Sequence, residues 1–199
     1  MMSKDTLRKL EEYAARGGQL VVTTRTALKD SRGHLWEEKI QQPHWSLIGG
    51  EIEFYDHLPK ERPGKILYDC KEHPWHIWGT VAKPAAGTES WAVFGDQFYQ
   101  GRSAVLHRKA GKGSVTYVGA WPDKWDMEYQ ILRRLYGGVL GDLPFDLPPY
   151  VFAQHREGLW TAVNYTDKTV TISVPKSAEV ILGTRDLPPA GVVVWKKKP

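Results

Sequence analysis

An α/β domain followed by a small antiparallel β domain is the fold class that the sequence predicts. Three observations carry it. Residues 4–24 read as a helix, a Gly-Gly stop and a continuous apolar strand, the usual order in an α/β parallel sheet. Two apolar-alternating runs, Ser103–Arg108 and Ser114–Gly119, flank the connector Ala110-Gly111-Lys112-Gly113 and read as a hairpin. Gly141–Pro149 then carries three prolines in nine residues, and the chain beyond it is strand-like only. The expected division is 1–143 and 144–199.

Taken in order, Ser3 caps a helix running to about Arg16, with Leu7, Leu10 and Tyr13/Ala14 as its apolar stripe. Gly17-Gly18 ends it, and Gln19–Thr24 is a strand around Leu20-Val21-Val22. The chain thus opens on a helix with no strand before it, a hint of truncation, because a crossover helix connects two strands. Asp30-Ser31-Arg32-Gly33 is a turn. Short helical pieces interrupted by Pro43 are expected within Leu35–Ile48. Glu51–Tyr55 alternates as a strand with Ile52 and Phe54 on one face. Ile66–Asp69, Trp75–Val81 and Ser90–Gly95 are further strands, with loops at Pro59–Gly64 and Lys83–Thr88. After the hairpin, Asp123 caps a helix with Trp125, Tyr129, Leu132 and Leu135/Tyr136 on one face and Gly137-Gly138 as its stop. In the second domain Val151–Arg156 and Leu159–Asn164 pair across Glu157-Gly158. Thr169–Val174, Glu179–Leu182 and Val192–Trp195 follow as strands. These fifty or so residues are few for an independent core, so they are expected to pack on the first domain.

Composition is that of a globular protein: 41% hydrophobic and 25% charged residues in 199. No apolar run approaches the roughly 20 residues that span a bilayer, and the start has no apolar signal region. The single cysteine, Cys70, excludes an internal disulfide and fits a reducing compartment. A cytoplasmic location is therefore favoured, without membrane contact. The net charge of +4 includes the terminal Lys196-Lys197-Lys198, and the remaining basic residues are scattered among acidic ones. That pattern speaks against nucleic-acid binding.

Candidate chemistry is sparse. Glu51 and Glu53 are a carboxylate pair, but Ile52 and Phe54 make them the solvent side of a half-buried strand. His73-Pro74-Trp75-His76 lacks a completed ligand set beyond Cys70 and Glu72. Gly111-Lys112-Gly113 lies between strands, whereas a phosphate loop joins a strand to a helix. No nucleophile elbow surrounds Cys70, and no dinucleotide fingerprint occurs. No catalytic, cofactor or metal residue is assigned. Nine tryptophans are a heavy load. Trp91, Trp160 and Trp195 sit in alternating runs and read as core. Trp36, Trp45, Trp75 and Trp78 lie in less regular sequence and are candidate carbohydrate or interface aromatics.

Four ordered segments resemble the carboxy-terminal half of a glycoside hydrolase family 42 β-galactosidase. GGQLVVTTRTALKDSRGHLWE is similar to that family's strand and Arg-Ser/Thr-Gly-x-Lys-Asp loop, with Ala27 where the family usually has Gly. IGGEIEFYDHLP is similar to Gly-x-x-Ile/Val-Glu-x-x-Asp. FYQGRSAVLHRKAGKGSVTYVGAW is similar to Gly-Arg/Lys-Pro-Ala-Val followed by Gly-Lys-Gly-x-x-x-Tyr-Val-Gly, with Ser103 in place of Pro. VFAQHREGLWTAVNYTDKTVTISV is similar to the final β domain, with an Asn after a strand as at Asn164.

The resemblance implies a flavodoxin-like, class I glutamine amidotransferase-like three-layer domain followed by a small antiparallel β domain. It implies a homo-oligomer, a trimer, and a catalytic TIM barrel elsewhere in the parent protein. Such a barrel takes about 250 residues and cannot fit here beside these elements. The expected function is non-catalytic assembly. Two alternatives stand beside it: a Trp-rich carbohydrate-binding module, and a flavodoxin-like hydrolase or amidotransferase with Cys70 as its most obvious nucleophile.

Overall fold

The tip of the central hairpin sits on the end of the first helix. In the computed structural model, which describes residues 1–122, 126–140, 147–175 and 177–197, α1 (Lys4–Ala15) leads into β1 (Gln19–Thr23). The Ser3 hydroxyl accepts the Thr6 N–H at 3.0 Å, and Leu7 and Ala14 are buried while Tyr13 is exposed. The hairpin is β6 (Ser103–Ala110) and β7 (Gly113–Val118). At its tip the Lys112 N–H donates to the Ala15 carbonyl (3.0 Å) and the Ser114 N–H to the Gly18 carbonyl (3.2 Å). The hairpin thereby satisfies the Ala15 carbonyl, which the helix end leaves unpaired. A Cβ on Gly113 would fall on the Gly18 and Ala14 carbonyl oxygens, so only glycine permits this approach.

With the tip docked, β7 pairs with β1 in parallel, from Gln19↔Ser114 to Thr23↔Val118, and with β6 antiparallel. The other strands of the first unit are β2 (Gly50–Asp56), β3 (Gly64–Tyr68), β4 (Lys71–Pro84), β5 (Thr88–Phe94) and β8 (Ala120–Pro122). Together they form an eight-stranded mixed sheet ordered β1-β7-β6-β5-β3-β4-β2, with β8 beside β4. Its described pairings are antiparallel apart from β1–β7, so the sheet is far less parallel than the opening helix-strand pattern suggests. Leu7, Val22, Ile52, Ala82, Leu106 and Tyr117 belong to one core cluster, which α2 (Trp45–Ile48) joins through Leu47 and Ile48.

Several expectations are corrected. Pro43 does not interrupt the helical stretch. It lies inside the 3₁₀ turn Gln42–His44 that leads into α2, near its start, where a missing N–H costs nothing. Ile52 and Phe54 do not share a face. A bulge pairs Ile52 with Ala82 but Phe54 with Val81, so the two point to opposite sides. The helix α3 (Asp126–Leu140) buries Met127, Ile131 and Leu135, while Leu132 and Tyr136 are exposed. The buried side chains form an aliphatic i, i+4, i+8 stripe, and Tyr136 stays outside it. Gly137-Gly138 does not stop α3, because Gly137 keeps a negative φ and the helix continues. Asp123 and Trp125 lie outside the described residues, as does most of the Gly141–Pro149 linker.

The chain divides into compact units Met1–Leu132 and Arg133–Pro199. In the second, β9 (Val151–Arg156), β10 (Leu159–Asn164), β12 (Ala178–Leu182) and β14 (Val192–Lys197) make a sheet ordered β12-β14-β10-β9. A two-stranded ribbon of β11 (Val170–Thr171) and β13 (Asp186–Leu187) lies beside it in sequence. The expected strand Thr169–Val174 is thus only two residues long, although Ile172 and Val174 are buried in a core around Trp195. Asn164 is fully buried. Its Nδ2 donates to the carbonyls of Lys168 (2.7 Å), Leu187 (2.9 Å) and Pro188 (3.1 Å), and its Oδ1 accepts the Thr166 N–H and hydroxyl. One amide therefore ties the turn at 164–168 to the segment at 187–188.

Two substitutions test these junctions. Gly113→Ala should lower the unfolding free energy by about 3 kcal/mol in urea titration, since the added methyl meets backbone that cannot yield; an unchanged midpoint contradicts the tip docking. Asn164→Ala should cost about 3 kcal/mol and speed amide exchange across β10 and β14, because buried carbonyls lose their donor; unchanged exchange there contradicts its tying role.

Candidate functional site

Of the four open tryptophans, Trp75 is fully buried against Phe94, with ring centroids 5.5 Å apart. Trp36 and Trp45 are half-buried and pin loops. Their indole N–H groups donate to the carbonyls of Ala27 (2.7 Å) and Ile40 (2.9 Å), and Lys4 and Lys39 lie over their rings. Trp195 is core as expected, whereas Trp91 and Trp160 are half-buried, stacked on His107 and on Trp195.

Trp78 is placed differently. Tyr55 stacks on it at 4.6 Å and the Arg25 guanidinium lies 5.0 Å from its centroid. Its N–H reaches the Thr80 hydroxyl (3.2 Å), which shares a hydrogen bond with Thr24 (2.8 Å). The Tyr117 hydroxyl is buried nearby without a hydrogen-bond partner among the described residues, and burial pushes its pKa up to about 12. The Tyr117 ring meets His44 edge-on at 5.6 Å. The indole N–H is thus tied to a buried threonine pair, Thr80 and Thr24, while Tyr55 is 42% and neighbouring Ile77 43% exposed. Two residues of this region have left-handed backbone, Arg25 (φ 64°) and Ile77 (φ 69°). For a β-branched residue that conformation is an outlier. Sequence reading reached Trp78 but missed Arg25, Tyr55 and Ile77; the only trace of them was the loss of strict alternation around Ile77-Trp78.

The remaining candidates separate. Glu51 and Glu53 hold different ion pairs, to Lys39 (3.6 Å) and Arg102 (3.3 Å). Asp56 accepts the Tyr99 hydroxyl at 2.6 Å; burial and then Asp56 hold that phenol above its usual range. The acidic residues of one family-like segment are therefore clasped by the Tyr and Arg of another. His73 and His76 are buried, and no group of three or more metal-ligating side chains occurs among the described residues. Cys70 is exposed in a turn at φ 59°. An open groove lined by Lys4, Arg8, Glu11 and Glu38 is crossed by the Lys4–Glu38 ion pair (2.8 Å).

The sequence model of the beta-galactosidase trimerisation domain matches residues 1–144, and that of the beta-galactosidase C-terminal domain matches 151–197. The chain belongs to the beta-galactosidase trimerisation-domain family. It is 28% identical over 174 residues to the beta-galactosidase BgaH of Haloferax lucentense, covering 87% of this chain and 26% of that protein. It is 24% identical to BgaB of a Geobacillus species, covering 88% and 26%. The chain thus spans about a quarter of the length of these curated relatives. Among solved structures, the beta-galactosidase of Halorubrum lacusprofundi superposes with a TM-score of 0.81 at 23% identity, over 100% of this chain and 30% of that one. The Rahnella sp. R3 enzyme gives 0.81 at 20%, over 98% and 31%. In this family member no described helix is long and apolar enough to cross a membrane.

The buried His44 sets a pH dependence. Burial lowers its pKa from 6.5 to about 4. Below pH 6.5 the unfolded chain binds a proton that the folded chain refuses, so stability falls as pH drops toward 4, by about 3 kcal/mol in all. His44→Phe should flatten that fall in urea titrations across the window; an unchanged slope contradicts a neutral buried imidazole.

Proposed function

We propose that this chain is the assembly region of a family 42 type β-galactosidase, which joins copies into a trimer and performs no hydrolysis by itself. The observation that carries this reading is the unbroken order of the two matches, trimerisation domain over 1–144 and C-terminal domain over 151–197. The same spans support a domain boundary near residues 143–144. The catalytic TIM barrel, in this reading, belongs to another part of the parent protein. A barrel needs about 250 residues, and the first 122 here are already committed to α1, α2 and a mixed sheet. The helix α1 leading into the parallel β1–β7 pair supports the finer flavodoxin-like label. A single exposed thiol supports a reducing, cytoplasmic setting.

The roles of the four tryptophans follow from their surroundings. We assign Trp36 and Trp45 to fixing the segment between β1 and α2, Trp75 to the core, and Trp78 to contact with a partner. Trp78 already carries two stacked partners, Tyr55 and Arg25, which leaves little open ring face for a pyranose.

Light scattering on the purified chain should give a mass near three times 22.6 kDa at high concentration, with no turnover of a chromogenic galactoside. A monomer throughout contradicts autonomous assembly, and robust turnover overturns the non-catalytic reading.

A further inference from the structure

We propose that the Arg25–Trp78–Tyr55 stack, with Ile77 and Trp121 at its margin, is the surface through which this chain binds a second copy of itself. The inference rests on the assembly reading above and locates it. Four observations support it. The residue types are those that dominate interface energetics, Trp, Tyr and Arg. The stack is rigid before any partner arrives: the Trp78 N–H is fixed on Thr80, Thr80 on Thr24, and the ring between stacking partners. A side chain already held in one rotamer loses little entropy on binding.

The third observation is backbone strain. Ile77 is held at φ 69° by its N–H bond to the Leu58 carbonyl (2.8 Å), and its side chain is 43% exposed. Folding alone gains little from forcing a β-branched residue into that conformation and then leaving it half in water; strain of this kind collects at functional positions. The fourth is continuity. β8 pairs with β4 at Trp75↔Pro122 and Gly79↔Ala120, with a register irregularity between. That places Trp121, 55% exposed, opposite the segment holding Ile77 and Trp78. Tyr55 extends the patch onto β2, which ends the sheet order. The occupant is another copy of this chain because the domain that carries the patch matches a trimerisation domain. In a closed ring of three the contact is heterologous, so the stack meets a different face of its neighbour.

Sedimentation equilibrium on the full chain and on Ile77→Gly and Trp121→Ser tests this. Both variants should weaken self-association about tenfold or more. Their urea midpoints should not fall, because glycine relieves the Ile77 strain and the Trp121 ring is mostly in water. Variants that assemble as the wild type does overturn this surface and leave the assembly reading standing. A wild-type chain that stays monomeric at every concentration overturns both.

Discussion

The rest of the first unit depends on a backbone contact between a hairpin tip and a helix end. The Lys112 and Ser114 N–H groups meet the Ala15 and Gly18 carbonyls, and Gly113 has no side chain to keep them apart. That contact sets the register of β7 on β1, and β7 is buried along its whole length. Through Tyr117 the same strand reaches His44, and through the Val118 carbonyl, which accepts the Thr24 N–H at 2.7 Å, it reaches the Thr24–Thr80 pair. The Trp78 stack stands on that pair. A turn that looks at first like a phosphate loop is therefore a structural joint, and the surface proposed for assembly is supported through it.

How much of this could be read from the sequence depends on how local each cause is. The β6–β7 hairpin was legible because alternation and a Gly-rich connector are local signals. The β9–β10 hairpin across Glu157-Gly158 was legible for the same reason. The need for glycine at 113 was not, since the carbonyls it must avoid belong to α1 and to the residues just after it. The β2 bulge moved Phe54 off the face of Ile52, and no residue type announces it. In α3, Leu135 sits on two overlapping stripes, and only packing chose Met127–Ile131–Leu135. Trp78 stands out in the sequence by its irregular context. Thr80 lies two residues on in the same strand, but Arg25 and Tyr55 come from separate stretches that no spacing rule joins to it.

The resemblance to family 42 gains physical content from the contacts. Arg102 and Tyr99 of one family-like segment hold Glu53 and Asp56 of another, so two segments far apart in the sequence touch in the fold. Asn164 plays the corresponding part in the second unit. Ala27, where the family usually has glycine, sits at φ 56° and is 3% exposed. Left-handed alanine costs about 1 kcal/mol, and burial of its methyl offsets about 0.8 kcal/mol. The substitution is therefore tolerable at that site.

The central claim is that residues 1–144 associate and that the C-terminal β unit does not drive association. Hydrogen–deuterium exchange at low and high chain concentration reads this directly. The account predicts slower exchange at high concentration within residues 1–144, with residues 151–197 unchanged. Exchange that is independent of concentration everywhere, or protection confined to 151–197, would contradict it.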